Sequence, residues 1–180
     1  MRLETPYKVV SMAVADVSDF AAALTEEDFN LDKRRNGMGN LEHCHSIMLR
    51  YSGSYVASGE GRPRDALTDF PLMGKYRKYI DPVIAELKLH YSFVDYVAVI
   101  AGLHPSCHIG AHRDRSDMSW VCHKIHIPLI TTPACLYTVG EATWHMEKGL
   151  VYEIDNDRVH TCFNGGEANR VHLIMSLCTQ

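Results

Sequence analysis

His112-Arg113-Asp114, His160 and Arg170 are the residues whose types and spacing could do chemistry in this chain. His112 and Asp114 form an H-x-D pair, His160 lies 46 positions beyond Asp114, and Arg170 follows ten beyond His160. Two imidazoles and one carboxylate can occupy one face of a six-coordinate ferrous ion and leave the other face open for co-substrate and dioxygen. An arginine, permanently charged and planar, can grip a carboxylate through two parallel hydrogen bonds. Together these are the parts of an open-sided iron site that takes an organic-acid co-substrate.

Such a site needs stiff elements to hold it, and from Phe93 onward the chain reads as short apolar strands with turns between them. Strands are expected at Tyr96–Ile100, Cys122–Thr131, Leu136–Val139, Leu150–Ile154, His160–Phe163 and Arg170–Leu177. Alternation puts Cys122, Lys124 and His126 on one face of their strand and His123, Ile125 and Ile127 on the other. Likewise Arg170, His172, Ile174 and Ser176 share a face, opposite Val171, Leu173, Met175 and Leu177. Pro128, lacking a ladder N–H, is expected at an edge or strand end. The N-terminal half mixes helices with strands at Tyr7–Val14 and His45–Tyr51 and an exposed loop over Ser52–Asp69. Ser18 and Thr25 are candidate helix caps, and Met73–Leu89 is helical in pattern with a break and restart at Asp81-Pro82. The sum is an α+β fold, mainly β: a barrel or sandwich with N-terminal helices packed on one sheet. We expect one domain over 1–180, helix-rich in 1–92 with the barrel core in 93–180.

Composition bounds the partners. At 46% hydrophobic and 22% charged, with net charge -4, the chain has no general basic face for nucleic acid. The local clusters Lys33-Arg34-Arg35 and Lys75-Tyr76-Arg77-Lys78 read as solvated surface. No segment reaches the roughly 18 apolar residues that span a bilayer. Met1 to Ala15 has no sustained apolar stretch, and the six cysteines, with no C-x-x-C, read as small buried hydrophobes, so a cytoplasmic, reducing location is expected.

Three segments carry a family resemblance: Ile109–Asp114, His123–Leu129, and Asn164 followed by Asn169–Ile174. They resemble the aspartyl/asparaginyl β-hydroxylase family of 2-oxoglutarate- and Fe(II)-dependent oxygenases, over roughly Asp95 to the C-terminus. The half ending in Ser46–Arg50 fits more loosely. The resemblance implies a double-stranded β-helix, the jelly-roll or cupin-like core. It implies His112, Asp114 and His160 as iron ligands, where some members have glycine in place of the aspartate. Arg170 would pair with a carboxylate of 2-oxoglutarate, with His126 beside it. Lys124 stands where members commonly have a co-substrate arginine; it keeps the charge and loses the fork. His172, on the face of Arg170, is a further pocket candidate. The implied reaction consumes O2 and 2-oxoglutarate, releases succinate and CO2, and hydroxylates an unactivated C–H bond of an amino acid, peptide residue or other small metabolite.

Other readings of the same residues stay open. Imidazole suits zinc and nickel as well as iron, so a cupin-like hydrolase, isomerase or sensor is the alternative. Arg170 discriminates, because a hydrolase needs no cation ten residues past its last ligand. A metal-free binding barrel is the least favoured. His104, His108, His123 and His145 read as surface or loop residues, Trp120, Trp144 and Met146 as packing near a barrel mouth, and Arg50 and Arg115 as candidates for binding an anionic substrate group, with solvated surface the commoner outcome for such arginines.

Overall fold

The structure is a computed structural model that describes residues 3–10, 17–31, 41–52, 66–114 and 122–179. Chain order runs β1 (Tyr7–Val10), α1 (Val17–Ala22), α2 (Glu26–Asn30), β2 (Cys44–Ser52), β3 (Leu67–Asp69) and α3 (Met73–His90). It continues through β4 (Asp95–Leu103), β5 (His108–His112), β6 (Cys122–Ile130), β7 (Cys135–Val139) and β8 (Ala142–Trp144). The last elements are β9 (Val151–Ile154), β10 (His160–Asn164) and β11 (Arg170–Cys178). A seven-stranded sheet has the order β1-β9-β6-β11-β4-β2-β3, and a four-stranded sheet the order β5-β10-β7-β8. Every pairing is antiparallel. The fold is mainly β, as the alternating patterns predict, and a jelly roll, as the family resemblance implies.

The large sheet has two unlike faces. Ile125, Ile127, Val171, Leu173, Met175 and Leu177 point to the helices and join one apolar cluster with Phe20, Phe29, Met73, Tyr76, Ile80, Val83 and Leu87. Each fully buried aliphatic side chain of this kind contributes roughly 1.5–3 kcal/mol. Central pairing of β11 with β6 and β4 runs the full length of β11. The opposite face meets the small sheet over Leu103, Tyr137, Val139, Tyr152, Ile154 and Cys162, and here the polar row of β6 and β11 points inward.

Local chemistry explains most elements. Thr25 caps α2 in a reciprocal box: its N–H donates to the Asp28 carboxylate and its hydroxyl accepts from Asp28 N–H. Ser18 lies within α1 instead of capping it, and its hydroxyl accepts from Lys148 Nζ at 3.1 Å. α3 runs through Pro82 without the expected break. Proline removes one internal hydrogen bond, but Ile80, Val83, Ile84 and Leu87 are buried on both sides of it and hold the helix. Pro128 is interior to β6, a central strand, contrary to expectation. The ladder accommodates it with a register shift between Val171 and His172, the latter paired with Pro128. The Lys75–Lys78 cluster is largely paired: Lys75 with Asp28, Arg77 with Asp69 and Asp81. No described helix is long and apolar enough to cross a membrane. Lys33-Arg34-Arg35, Arg115, Trp120, most of the Ser52–Asp69 loop and the end of Tyr7–Val14 lie outside the described residues.

Candidate metal centre

One strand pair assembles the ligand set. His112 ends β5, His160 begins β10, and the two are cross-strand partners. Their rings lie 4.2 Å apart between centroids. Asp114 follows in the loop, its backbone N–H donating to Asn156 carbonyl at 3.3 Å. The turn from Asp155 to Arg158, which contains Asn156, is strapped by the N-terminus: Asp155 N–H donates to Pro6 carbonyl, Leu3 N–H to the Asp155 carboxylate, and Arg158 Nη2 to Leu3 and Glu4 carbonyls. Asp114 Oδ1 is 3.8 Å from Nε2 of both histidines, and one donor atom from each of the three residues falls within 4.8 Å of the others.

Donor chemistry fits a divalent metal. His112 Nδ1 lies 2.8 Å from Gly110 carbonyl and His160 Nδ1 3.0 Å from Arg158 carbonyl. A carbonyl only accepts, so each Nδ1 carries the proton and each Nε2 lone pair is available to a metal. Burial pushes the His160 imidazole below its ordinary range despite the Arg158 and Asp114 contacts, favouring the neutral form that ligates. Burial disfavours charge on Asp114, but Lys124 and His160 outweigh it and hold its carboxyl well below the usual range. Lys124 Nζ sits 3.3 Å from Asp114 Oδ2, leaving Oδ1 toward the histidines.

Deeper in the same cleft, whose cavity has a volume of about 80 Å³, Arg170 begins β11 and is 6% exposed. Its Nη1 lies 3.7 Å from Cys162 Sγ, and its guanidinium carbon 5.7 Å from the Tyr137 ring centroid. Its Nη2 donates to His172 Nδ1 at 3.0 Å, which leaves the His172 proton on Nε2. Among the described residues no carboxylate pairs with Arg170. His126, 3% exposed, has no partner at either ring nitrogen, and His172 Nε2 has none. Burial, reinforced by nearby cations, pushes both imidazoles well below their ordinary range, so both are neutral. A buried cation without a counter-ion beside unsatisfied polar nitrogens is costly unless a ligand supplies the missing charge and acceptors.

The family model for aspartyl/asparaginyl beta-hydroxylase matches residues 83–179, more than half of the chain. The chain belongs to that family. It is therefore an enzyme of hydroxylase type. No curated protein sequence matches it. Among solved structures, a prolyl-4-hydroxylase from Pseudomonas putida is similar with TM-score 0.56 at 14% identity, covering 98% of this chain and 94% of that one. An oxidoreductase of the 2OG-Fe(II) oxygenase family from Burkholderia pseudomallei gives 0.57 at 11% identity, over 94% and 93%. A viral collagen prolyl hydroxylase from Paramecium Bursaria Chlorella virus-1, solved with 2OG, gives 0.55 at 10% identity, over 98% of both chains. These likenesses establish a common fold.

Within this hydroxylase the expected site residues sort clearly. His112, Asp114, His160, Lys124, His126 and Arg170 all line one cleft, while His172 shares their face of the sheet and stands behind Arg170. His123, expected at the surface, is half-buried, with Nδ1 2.6 Å from Glu153, which also accepts from Tyr91 hydroxyl. His104 pairs with Asn169 and His145 with Cys135 carbonyl. Trp144 stacks on Tyr7 at 3.9 Å, and Met146 is buried, so both are packing. Arg50 is held by Asp95 and Asp69 and is not left for a substrate anion. Asn164 is a brace: its amide donates to three carbonyls, Leu103, His104 and Ala168, just before Arg170. Tyr137 and Cys162, which flank Arg170, were not anticipated. Period-two alternation from His160 would have found Cys162, and its cross-strand partner is Tyr137.

Proposed function

We propose that this hydroxylase is a 2-oxoglutarate- and Fe(II)-dependent dioxygenase, acting on an amino acid, peptide residue or other small metabolite, and that the whole chain is one such domain. The observation that carries the reading is Arg170: a buried arginine with no carboxylate partner among the described residues, in the same cleft as two Nε2 lone pairs and one carboxylate. His112, Asp114 and His160 would hold the metal through Nε2, Oδ1 and Nε2. Arg170 would clamp the distal carboxylate of 2-oxoglutarate through its fork, with the Tyr137 ring limiting its swing. His126, neutral and unpartnered, would donate one N–H to the same anion. Lys124 offsets the charge of Asp114 and adds positive potential to the cleft. Leu103 and Ile109 give the cleft an apolar wall that excludes water. When bound, ferrous iron with 2-oxoglutarate supplies dioxygen activation, with succinate and CO2 released and a C–H bond hydroxylated. The test is anaerobic addition of Fe(II) and then 2-oxoglutarate. A weak visible charge-transfer band requiring both supports the reading. Tight metal binding with no band would replace it with a zinc or nickel barrel.

A further inference from the structure

Cys122 opens β6 and Cys178 closes β11, and the two are direct cross-strand partners. Their sulfurs lie 3.4 Å apart. A disulfide needs about 2.05 Å, so the two side chains together must close by about 1.4 Å. The backbone already permits this. Cys178 carbonyl accepts from Val94 N–H, on the β4 side of β11. In an antiparallel ladder a residue's N–H and C=O point the same way, so the polar groups of Cys178 face away from β6. Cys122 and Cys178 are then a non-hydrogen-bonded pair, the type with Cα atoms about 4.5 Å apart and side chains closest. That separation lies inside the window of about 4.4–6.8 Å that disulfides occupy. Cys135 and Cys162 are engaged differently, by Asn164 and Arg170.

We propose that Cys122 and Cys178 are a modification site, a dithiol that hydrogen peroxide converts to a reversible cross-strand disulfide. One sulfur is oxidised to a sulfenic acid as peroxide is reduced to water, and the other thiol displaces its hydroxyl as a second water. Two thiols thus lose two hydrogens and two electrons, and one peroxide becomes two waters. Cys178 is half-buried and Cys122 is 2% exposed, so the site suits an oxidant as small as peroxide. Their position on the inward row, next to the Lys124–Ser176 pair, places the new bond beside the cleft. The inference does not depend on the oxygenase reading.

The experiment is exposure of the reduced full-length protein to one equivalent of peroxide in chelating buffer, followed by thiol counting, intact mass and peptide mapping. The expected result is loss of two of the six thiols, a mass lower by about 2 Da, and a Cys122–Cys178 linked peptide that dithiothreitol releases. The oxidised protein should also melt at least about 5 °C higher, because the bond closes a long loop of chain. Cys122→Ser and Cys178→Ser should each lose the linked peptide and the melting shift. Six intact thiols, mass gains of about 16 Da without a linked peptide, or an undiminished two-thiol loss in both serine variants would overturn the proposal.

Discussion

Arg170 offers the most demanding test of the site. Replacing it with methionine removes the fork while keeping much of the volume beneath Tyr137. A bidentate clamp contains two charge-assisted hydrogen bonds, each worth about 1.5–3 kcal/mol, and truncating one side of a buried charged pair costs about 2–5 kcal/mol. His126 survives in the variant and keeps part of the interaction, so about 3–4 kcal/mol is the expected loss, roughly a 150- to 800-fold weaker 2-oxoglutarate affinity. Arg170→Lys keeps the charge without the fork and should fall between, about tenfold down. The folded protein without co-substrate should not suffer, because the substitution removes a buried cation that no described carboxylate balances. The assay is anaerobic titration of 2-oxoglutarate into Mn(II)-loaded protein by calorimetry, with Mn(II) affinity measured separately. Metal affinity should stay within about threefold, since the contacts of Arg170 are Cys162, His172 and Tyr137 and none is a proposed ligand. An unchanged 2-oxoglutarate affinity, or parallel losses for both ligands, would refute the assignment.

Three further outcomes follow from the geometry. His112→Ala and His160→Ala should each abolish metal binding while the far-ultraviolet circular dichroism stays native; retained succinate production in either would remove the ligand assignment. Asp114→Gly should weaken metal binding by about tenfold or more and leave residual activity, and equal metal affinity would show that the carboxylate is not a ligand. Asp28 is a pH test away from the site: burial opposes its ionisation, but bonds to Lys75, Thr25 and Tyr76 bring its pKa down from 3.8 to about 2. A lowered folded value stabilises the protein above the ordinary carboxyl range, and the contribution, about 2 kcal/mol, disappears as pH falls from about 4 toward 2. Urea melts of Asp28→Asn should show a flatter acid limb across that window, and an unchanged limb would refute the linkage.

Much of the site was legible because it rests on side-chain alternation. Period two put Lys124 with His126 on one strand face and Arg170 with His172 on another, the family resemblance brought the two rows to one co-substrate site, and spacing paired His112 with Asp114. Three things were not. β5 reads His-Ile-Gly-Ala-His, with one β-branched residue, and becomes a strand through its pairing with β10, a tertiary cause. Pro82 and Pro128 were expected to interrupt their elements, yet packing around α3 and an irregular ladder beside β11 absorb them. His123, read as a surface or loop residue, instead serves Glu153 beside Tyr91 in the packing layer. Only its face of β6, the one shared with Ile125 and Ile127, separates it from His126.

The two-faced pairing of β6 with β11 has a consequence for how this protein can change. A slip of one residue would turn Lys124 and His126 toward the helices and bring Ile125 and Ile127 into the cleft, a large apolar penalty. The helix-side row therefore proof-reads the alignment, and the cleft-side row is spared that duty. Chemistry and registration are carried by alternate residues of the same strands. Substitutions in the cleft can retune what is bound without endangering how the strands find each other, which gives this fold freedom to acquire new substrates one residue at a time.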